Sequence, residues 1–373
     1  MTSFLRNIFS SIDFWLLGST LTLSFLGLAT MFTFHGDNSY FERQIIWIAI
    51  SLVAMILALI PDYRFLRAGH TTFIIYAIAV LLLGLVLVIG EVTLGAQSRF
   101  DLGLFSFQPA EFAKLVLIAV LAKYFSKRHE MIGDFQHIII SGLYTLVIFA
   151  LVFVQPDFGS ALIIFAIWFG MVLVAGIRLR HLAMVFVAGA VAFGVMWNFV
   201  LMDYQKSRIH TFIDPLADIQ GTGYNVYQSI IAVGSGQMWG KGVGYGTQSK
   251  LEFLPEYQTD FVFAAFAEEW GLIGAGLVFV LFGVIVWRLL RLAFGGASNF
   301  EKLFATGVSI LVIAHFTIHV GMNIGLLPVT GLTVPFMSYG GTHLLVEFIA
   351  IGIVMAMSRY TTARYRTDDI LLS

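Results

Sequence analysis

LEFLPEYQTDFVFAAFAEEWG, residues 251–271, sets five carboxylates at the entrance to a strongly apolar segment: Glu252, Glu256, Asp260, Glu268 and Glu269. Pro255 and Thr259 mark a helix entry. Asp260 then falls in the first turn, where a carboxylate is favoured by the helix dipole. Glu268 follows eight residues later, about 12 Å deeper at 1.5 Å per residue. A capping Asp alone needs no further acids beside it. Carboxylates clustered against a low-dielectric wall suit general-base chemistry or cation binding. The residues alone leave those readings and a purely structural one open.

Outward from this stretch the chain is 59% hydrophobic and 12% charged over 373 residues. A soluble domain carries roughly 25% charged residues. Apolar windows, each long enough to cross about 30 Å of hydrocarbon, fall at 14–34, 43–61, 71–90, 108–126, 137–154, 159–177, 181–202, 260–287, 303–325 and 341–358. The chain therefore reads as an all-α polytopic membrane protein of about ten transmembrane helices, one integral membrane unit over 1–373. A long extracytoplasmic loop, about 203–259, precedes the eighth helix, and a tail of about 359–373 ends the chain. No small-residue cleavage site follows the first apolar run, so that run is expected to stay as the first span.

Basic residues set the orientation. With the N-terminus in the cytoplasm, 14 Lys and Arg lie on the cytoplasmic side and 7 on the other, as the positive-inside rule requires for short loops. The acid-rich stretch and the loops at 91–107, 155–158 and 326–340 then lie outside. A net charge of −1 gives no field that recruits nucleic acid, and the absence of cysteine excludes disulfides and thiolate metal sites. No GxxxxGK[ST] motif is present, so the activity is not expected to run on an ATPase of its own. No repeat of 20–50 residues and no inverted halves are visible.

Polar residues within this apolar frame are the candidates for chemistry. Glu111 and Lys114 lie at i, i+3 on one helix face, as an ion pair or with Lys114 turned to a phosphate. Asp157 suits the cap of the helix that follows. Arg99, in GAQSRFDLG, is either a headgroup anchor or a phosphate ligand. GKGVGYG at 240–246 resembles a backbone nest for an anion, with Lys241 inside it, or else plain turn chemistry. Residues 228–233 read as a short amphipathic helix lying on the bundle. His315 and His319 have i, i+4 metal spacing without a third ligand placed, and helix packing is the simpler account. SYGG opens the last helix, where free amides with Ser338 and Thr342 could take a phosphate.

Taken in order, FERQ (41–44), GAQSRF (95–100), QPAEFAK (108–114), QPDFGSA (155–161), GYNVYQS (223–229), LPEYQTDFVFAAFAEEWG (254–271) and GLLPVTGLTVPFMSYGG (325–341) resemble the SEDS (shape, elongation, division and sporulation) family, the RodA/FtsW proteins. The resemblance covers essentially the whole chain. FERQIIWIAISLV with PDYRFLR is closer to the RodA pattern. The resemblance implies a peptidoglycan glycosyltransferase of the bacterial inner membrane with ten helices. It would polymerise lipid II at the outer face, beside a class B penicillin-binding protein transpeptidase. The family's essential aspartate matches Asp260, and the family's Glu and Lys match Glu111 and Lys114, with Ala110 in place of the usual serine. The family's Arg-Trp pair becomes Arg99-Phe100, and its asparagine before the ninth-helix GM becomes His319.

On that reading Asp260 takes the proton of the acceptor hydroxyl. Arg99, Lys114, Arg208 and Lys241 with Ser338 and Thr342 at the SYGG helix start bind the diphosphate. Glu111 belongs to the substrate region, and Glu256 and Glu268 shape the charge around the base. No cofactor is required; a divalent cation, Mg or Mn, could bridge Asp260 and the diphosphate. The rival readings are a lipid II flippase, with intramembrane acids lining a headgroup path, and a non-catalytic scaffold of the elongation or division machinery.

Overall fold

The computed structural model describes residues 11–32, 39–67, 69–93, 96–101, 103, 106–127, 135–199, 201, 206–207, 210–212, 223–251, 253–254 and 256–371. The elements in order are α1 (Phe14–Phe32), α2 (Ser39–Ala58), α3 (Arg64–Arg67), α4 (Thr71–Ile89), β1 (Glu91–Thr93), β2 (Ala96–Asp101), β3 (Ser106–Phe107), α5 (Pro109–Ser126), α6 (Phe135–Val154), α7 (Phe158–Ala175), α8 (Leu179–Phe199), α9 (Tyr224–Ser235), α10 (Thr247–Lys250), α11 (Val262–Phe294), α12 (Asn299–Asn323) and α13 (Gly341–Leu371). Helix is the form in which one apolar segment satisfies its own backbone in hydrocarbon.

Among the described residues, nine helices are long and apolar enough to cross a membrane: α1, α2, α4, α6, α7, α8, α11, α12 and α13. The protein is an all-α polytopic membrane protein. α5 has 18 residues but carries Glu111, Lys114 and Lys123. It packs against α4, α6, α7, α12 and α13, and every residue from Ala113 to Phe125 is buried. A central position lets those charges face protein rather than lipid. α8 is the other extreme, with Phe186, Val187, Val191 and Phe199 all exposed, the surface of an outermost, lipid-facing helix. Where α1 meets the loop before α13, a Cβ on Gly27 would stand 2.1 Å from the Met337 carbonyl oxygen. Only glycine permits that backbone approach.

The loops separate into two ends. At one, Thr342 Oγ1 donates to Ser106 O at 2.8 Å, Gln108 Nε2 to Asp157 Oδ2 at 3.0 Å, and Ser338 Oγ to Thr259 O at 2.8 Å. At the other, Arg288 pairs with Asp13, Arg359 donates to Leu59 O, and Lys123 Nζ donates to Gly69 O. These are the two groups of loops that the basic-residue count divides. The 91–107 loop carries a small antiparallel sheet in the order β1-β2-β3, which the helical reading left without structure. The amphipathic segment expected at 228–233 is α9, packed on α11 and α12.

Two helices differ from their expected course. α12 begins at Asn299 because Ser298 caps it, accepting from Glu301 N at 3.4 Å, while Glu301 Oε2 accepts from Ala297 N at 2.9 Å. The continuous span expected at 260–287 is broken at Gly271, with φ 65° and ψ −165°. The loop at 237–242 fills the break. Leu272 N donates to Gln237 O (2.8 Å) and Ile273 N to Met238 O (3.3 Å). On the other side, Lys241 N donates to Glu268 O (3.0 Å) and Gly242 N to Glu269 O (3.0 Å). Backbone groups freed by the break are thus satisfied by protein. A side chain at Gly271 would meet Gly240 N at 2.3 Å.

Candidate active site

Asp260 sits in a turn at 256–261 that enters α11. Glu256 starts the turn with φ 49°. Its carbonyl collects the amides of Thr259 (3.2 Å), Asp260 (3.0 Å) and Phe261 (3.2 Å). Thr259 Oγ1 also reaches Glu256 Oε2 at 3.3 Å. A non-glycine residue held in this conformation costs about 1–3 kcal/mol and persists only where neighbours enforce it. Asn323, fully buried at the end of α12, supplies that enforcement. Its Nδ2 donates to Asp260 O (3.0 Å) and His319 O (2.8 Å), and its Oδ1 accepts from Ala264 N (3.0 Å). Its own carbonyl accepts from Ser229 Oγ at 2.7 Å, which ties in α9. The sequence reading passed over Asn323; the signal was a lone amide at the end of an apolar helix, close to the PVTG loop.

The loop before α13 forms the opposite wall. Gly331 has φ 71°, and a Cβ there would lie 3.5 Å from Asp260 Oδ2. Tyr339 N donates to Gln258 O at 3.0 Å. Ser338 Oγ donates to Thr259 O and accepts from Val334 N at 2.9 Å. The helices strap this loop from behind: Gln44 Nε2 donates to Ser338 O (3.1 Å) and Ser24 Oγ to Phe336 O (2.8 Å). His319 Nδ1 is 2.7 Å from Leu332 O. Phe336 is a second left-handed non-glycine residue, with φ 62°. Two strained residues therefore flank a half-buried carboxylate, which is where strain collects at functional sites.

The other expected site residues divide into groups. Thr342 is engaged structurally, donating to Ser106 O and accepting from Gln108 N at 3.3 Å. Asp157 caps α7 through Ser160 N at 2.9 Å. Arg99 is exposed on β2, at the end that holds the Asp260 turn. Arg208 and Glu252 lie outside the described residues.

Glu268 and Lys241 belong to a different construction. Glu268 Oε1 accepts from Lys241 Nζ (2.7 Å), Thr247 N (2.9 Å), Thr247 Oγ1 (3.0 Å) and Gln248 N (3.1 Å). Glu269 Oε1 accepts from Gly244 N at 3.0 Å. Within the 240–246 segment the Gly244 amide takes Glu269 and Lys241 Nζ takes Glu268, while the Thr247 and Gln248 amides beyond it hold Glu268. Lys241, expected at a diphosphate, neutralises Glu268 and fixes the loop against the α11 break.

Glu111 and Lys114 pair at 2.8 Å with their side chains buried, so Lys114 is turned into protein and not toward a headgroup. The pair extends into a network. Lys114 Nζ is 3.1 Å from His315 Nε2, whose Nδ1 is 3.0 Å from Leu311 O. His343 Nδ1 is 2.9 Å from Glu111 Oε2, and His343 Nε2 is 3.0 Å from Glu347 Oε1. Nδ1–H of His315 donates to the carbonyl, which leaves Nε2 to accept from the ammonium. Ligand atoms of Glu111, His315 and His343 lie within 4.8 Å of one another, but the Lys114 ammonium contacts two of the three and supplies the cation there. His315 and His319 do not form a metal pair: His319 holds the Leu332 carbonyl instead. Among the described residues Asp260 joins no group of three such ligands.

The sequence and the fold both match known proteins. The family model of the FtsW/RodA/SpoVE cell cycle proteins matches residues 6–363. Stage V sporulation protein E of Bacillus subtilis (strain 168) is 34% identical over 363 residues, covering 94% of this chain and 98% of its own. The peptidoglycan glycosyltransferase MrdB of Escherichia coli (strain K12) is 35% identical over 325 residues, 86% of each chain. Among solved structures, a chain of a peptidoglycan synthase complex that coordinates polymerization and crosslinking matches with a TM-score of 0.81. Its identity is 28%, over 94% of this chain and 98% of that one. The chain belongs to the FtsW/RodA/SpoVE family of cell cycle proteins.

Proposed function

We propose that this protein is a peptidoglycan glycosyltransferase that polymerises lipid II, with Asp260 as the general base. The observation that carries the proposal is the half-buried Asp260 carboxylate, held between two strained turns and facing a glycine. Relatives named peptidoglycan glycosyltransferase, 35% identical over 86% of the chain, support the reaction class. The match to a synthase-complex chain supports a penicillin-binding protein transpeptidase as partner. The 14-to-7 distribution of basic residues supports a cytoplasmic N-terminus and a site at the outer face of the bacterial inner membrane. α5 would serve as the tenth span.

The acceptor's GlcNAc 4-hydroxyl attacks the anomeric carbon of the donor. The C–O bond to the acceptor forms as the bond to the polyprenyl diphosphate breaks, with inversion, and Asp260 takes the hydroxyl proton. The leaving group carries its own activation, so no nucleotide is consumed. Of the basic residues expected at the diphosphate, Lys114 is paired inside the protein and the partly exposed Lys241 is paired with Glu268. Arg99, Arg208 and the amides opening α13 are left to serve it.

Purified lipid II in detergent micelles tests the proposal, since a micelle has no second leaflet. The full chain with its partner should yield glycan strands there. A flippase would yield none, and that result would remove the polymerase reading. A finer expectation concerns Gly331. Gly331→Ala should lose roughly 1–2 kcal/mol of stability from its left-handed backbone, and its methyl should crowd the acceptor beside Asp260 Oδ2. Melting temperature and strand synthesis should both fall; unchanged synthesis would show that the acceptor approaches from elsewhere.

A further inference from the structure

Two buried side chains outside that mechanism, His343 and Glu347, connect the Glu111–Lys114 pair to the wall of the Asp260 site. They lie one turn apart on α13, with exposures of 6% and 3%, too low for contact with water or lipid. Glu347 Oε2 accepts from Phe336 N at 2.9 Å, the amide at the strained corner of the loop. Its other oxygen is 3.0 Å from His343 Nε2, and His343 Nδ1 is 2.9 Å from Glu111 Oε2. Nε2 of His343 and Oε1 of Glu347 face each other at ion-pair distance without hydrogen-bond alignment. With both His343 nitrogens protonated against the two carboxylates and with His315 neutral, Glu111, Lys114, His343 and Glu347 sum to zero charge, as burial demands.

We infer that His343 and Glu347 form a buried strut that positions Asp260, by holding Phe336 in its left-handed conformation through the side-chain oxygen of Glu347. The route is continuous. The strut fixes the Phe336 amide; the corner fixes Ser338, whose hydroxyl holds Val334 N and Thr259 O; and Thr259 precedes Asp260. The same loop presents Gly331 to the Asp260 carboxylate. Glu347 is a positioning residue, and its effect on turnover rests on the assignment of Asp260 as base.

Two substitutions separate this role from simple packing. Glu347→Gln keeps an oxygen for the Phe336 amide and turns a carboxamide N–H toward His343 Nε2, with no net charge left over. Glu347→Ala removes the acceptor. In the full chain with its partner, E347A should lower kcat by roughly 10- to 100-fold, the scale of a small misplacement at a distance from the chemistry. KM for lipid II should stay within about 3-fold, and E347Q should stay within about 3-fold of wild type in both constants. Amide hydrogen exchange over 331–339 should quicken in E347A and not in E347Q. Unchanged exchange and turnover in E347A, or equal loss in both variants, would overturn the strut. If wild type makes no strands, or Asp260→Asn matches it, the assignment of Asp260 fails instead, and the exchange comparison still decides the strut.

Discussion

Asp260→Asn should lower kcat for glycan synthesis by about 10²- to 10⁴-fold, the contribution of a positioned base. The substitution keeps the size of the side chain, and the structure explains why the fold should tolerate it. Two contacts to residue 260 run through its backbone, from Asn323 Nδ2 to its carbonyl and from its amide to Glu256 O. Asparagine leaves both in place. Melting temperature should therefore match wild type, and KM for lipid II should move by no more than a few-fold. A loss of donor binding in place of turnover would assign Asp260 to ground-state recognition.

The second large effect concerns stability. Lys114→Met should destabilise the protein by roughly 3–5 kcal/mol, the usual result of removing one partner from a buried ion pair. Lys114 is fully buried and its ammonium bonds Glu111 and His315 together. Its loss strands a carboxylate and an imidazole acceptor among α5, α12 and α13. The double variant Glu111→Gln, Lys114→Met removes the stranded charge and should recover about half of the loss or more. Unfolding of the purified variants in mixed micelles measures both. An undamaged single variant would mean that Lys114 is not held as an ammonium.

Much of this was legible because hydrocarbon imposes simple rules. Each apolar window became a helix, and Lys114 disclosed a buried face because a charge in such a helix has to turn inward. The i, i+3 pairing with Glu111 followed from helix geometry alone. Asp260 stood out through the ordered motif set, and its expected place in the first turn was wrong: it sits in the turn before α11, which opens at Val262 with no acid in its first turn. What escaped the sequence depends on which distant segments meet. The 240–246 segment was readable as an anion site, but the carboxylates it meets are Glu268 and Glu269, more than 20 residues further along. Nothing in local spacing shows that the loop folds back to the Gly271 break. That break was hidden by the apolar run around a single glycine. Glu256 and Phe336 escaped for the opposite reason: left-handed backbone is expected at glycine, and neither is one. His343 and Glu347 were passed over, because their role depends on the Phe336 amide that a separate loop brings against the carboxylate.

The measurement that bears most directly on Asp260 as base compares nucleophiles that do and do not need one. An acceptor with a 4-thiol in place of the 4-hydroxyl ionises readily near neutral pH and needs little help from a base. Asp260→Asn, inactive with the hydroxyl acceptor, should transfer the donor sugar to the thiol acceptor at a rate approaching that of wild type with the same thiol. Equal impairment of Asp260→Asn with both acceptors would contradict proton removal as the role of Asp260.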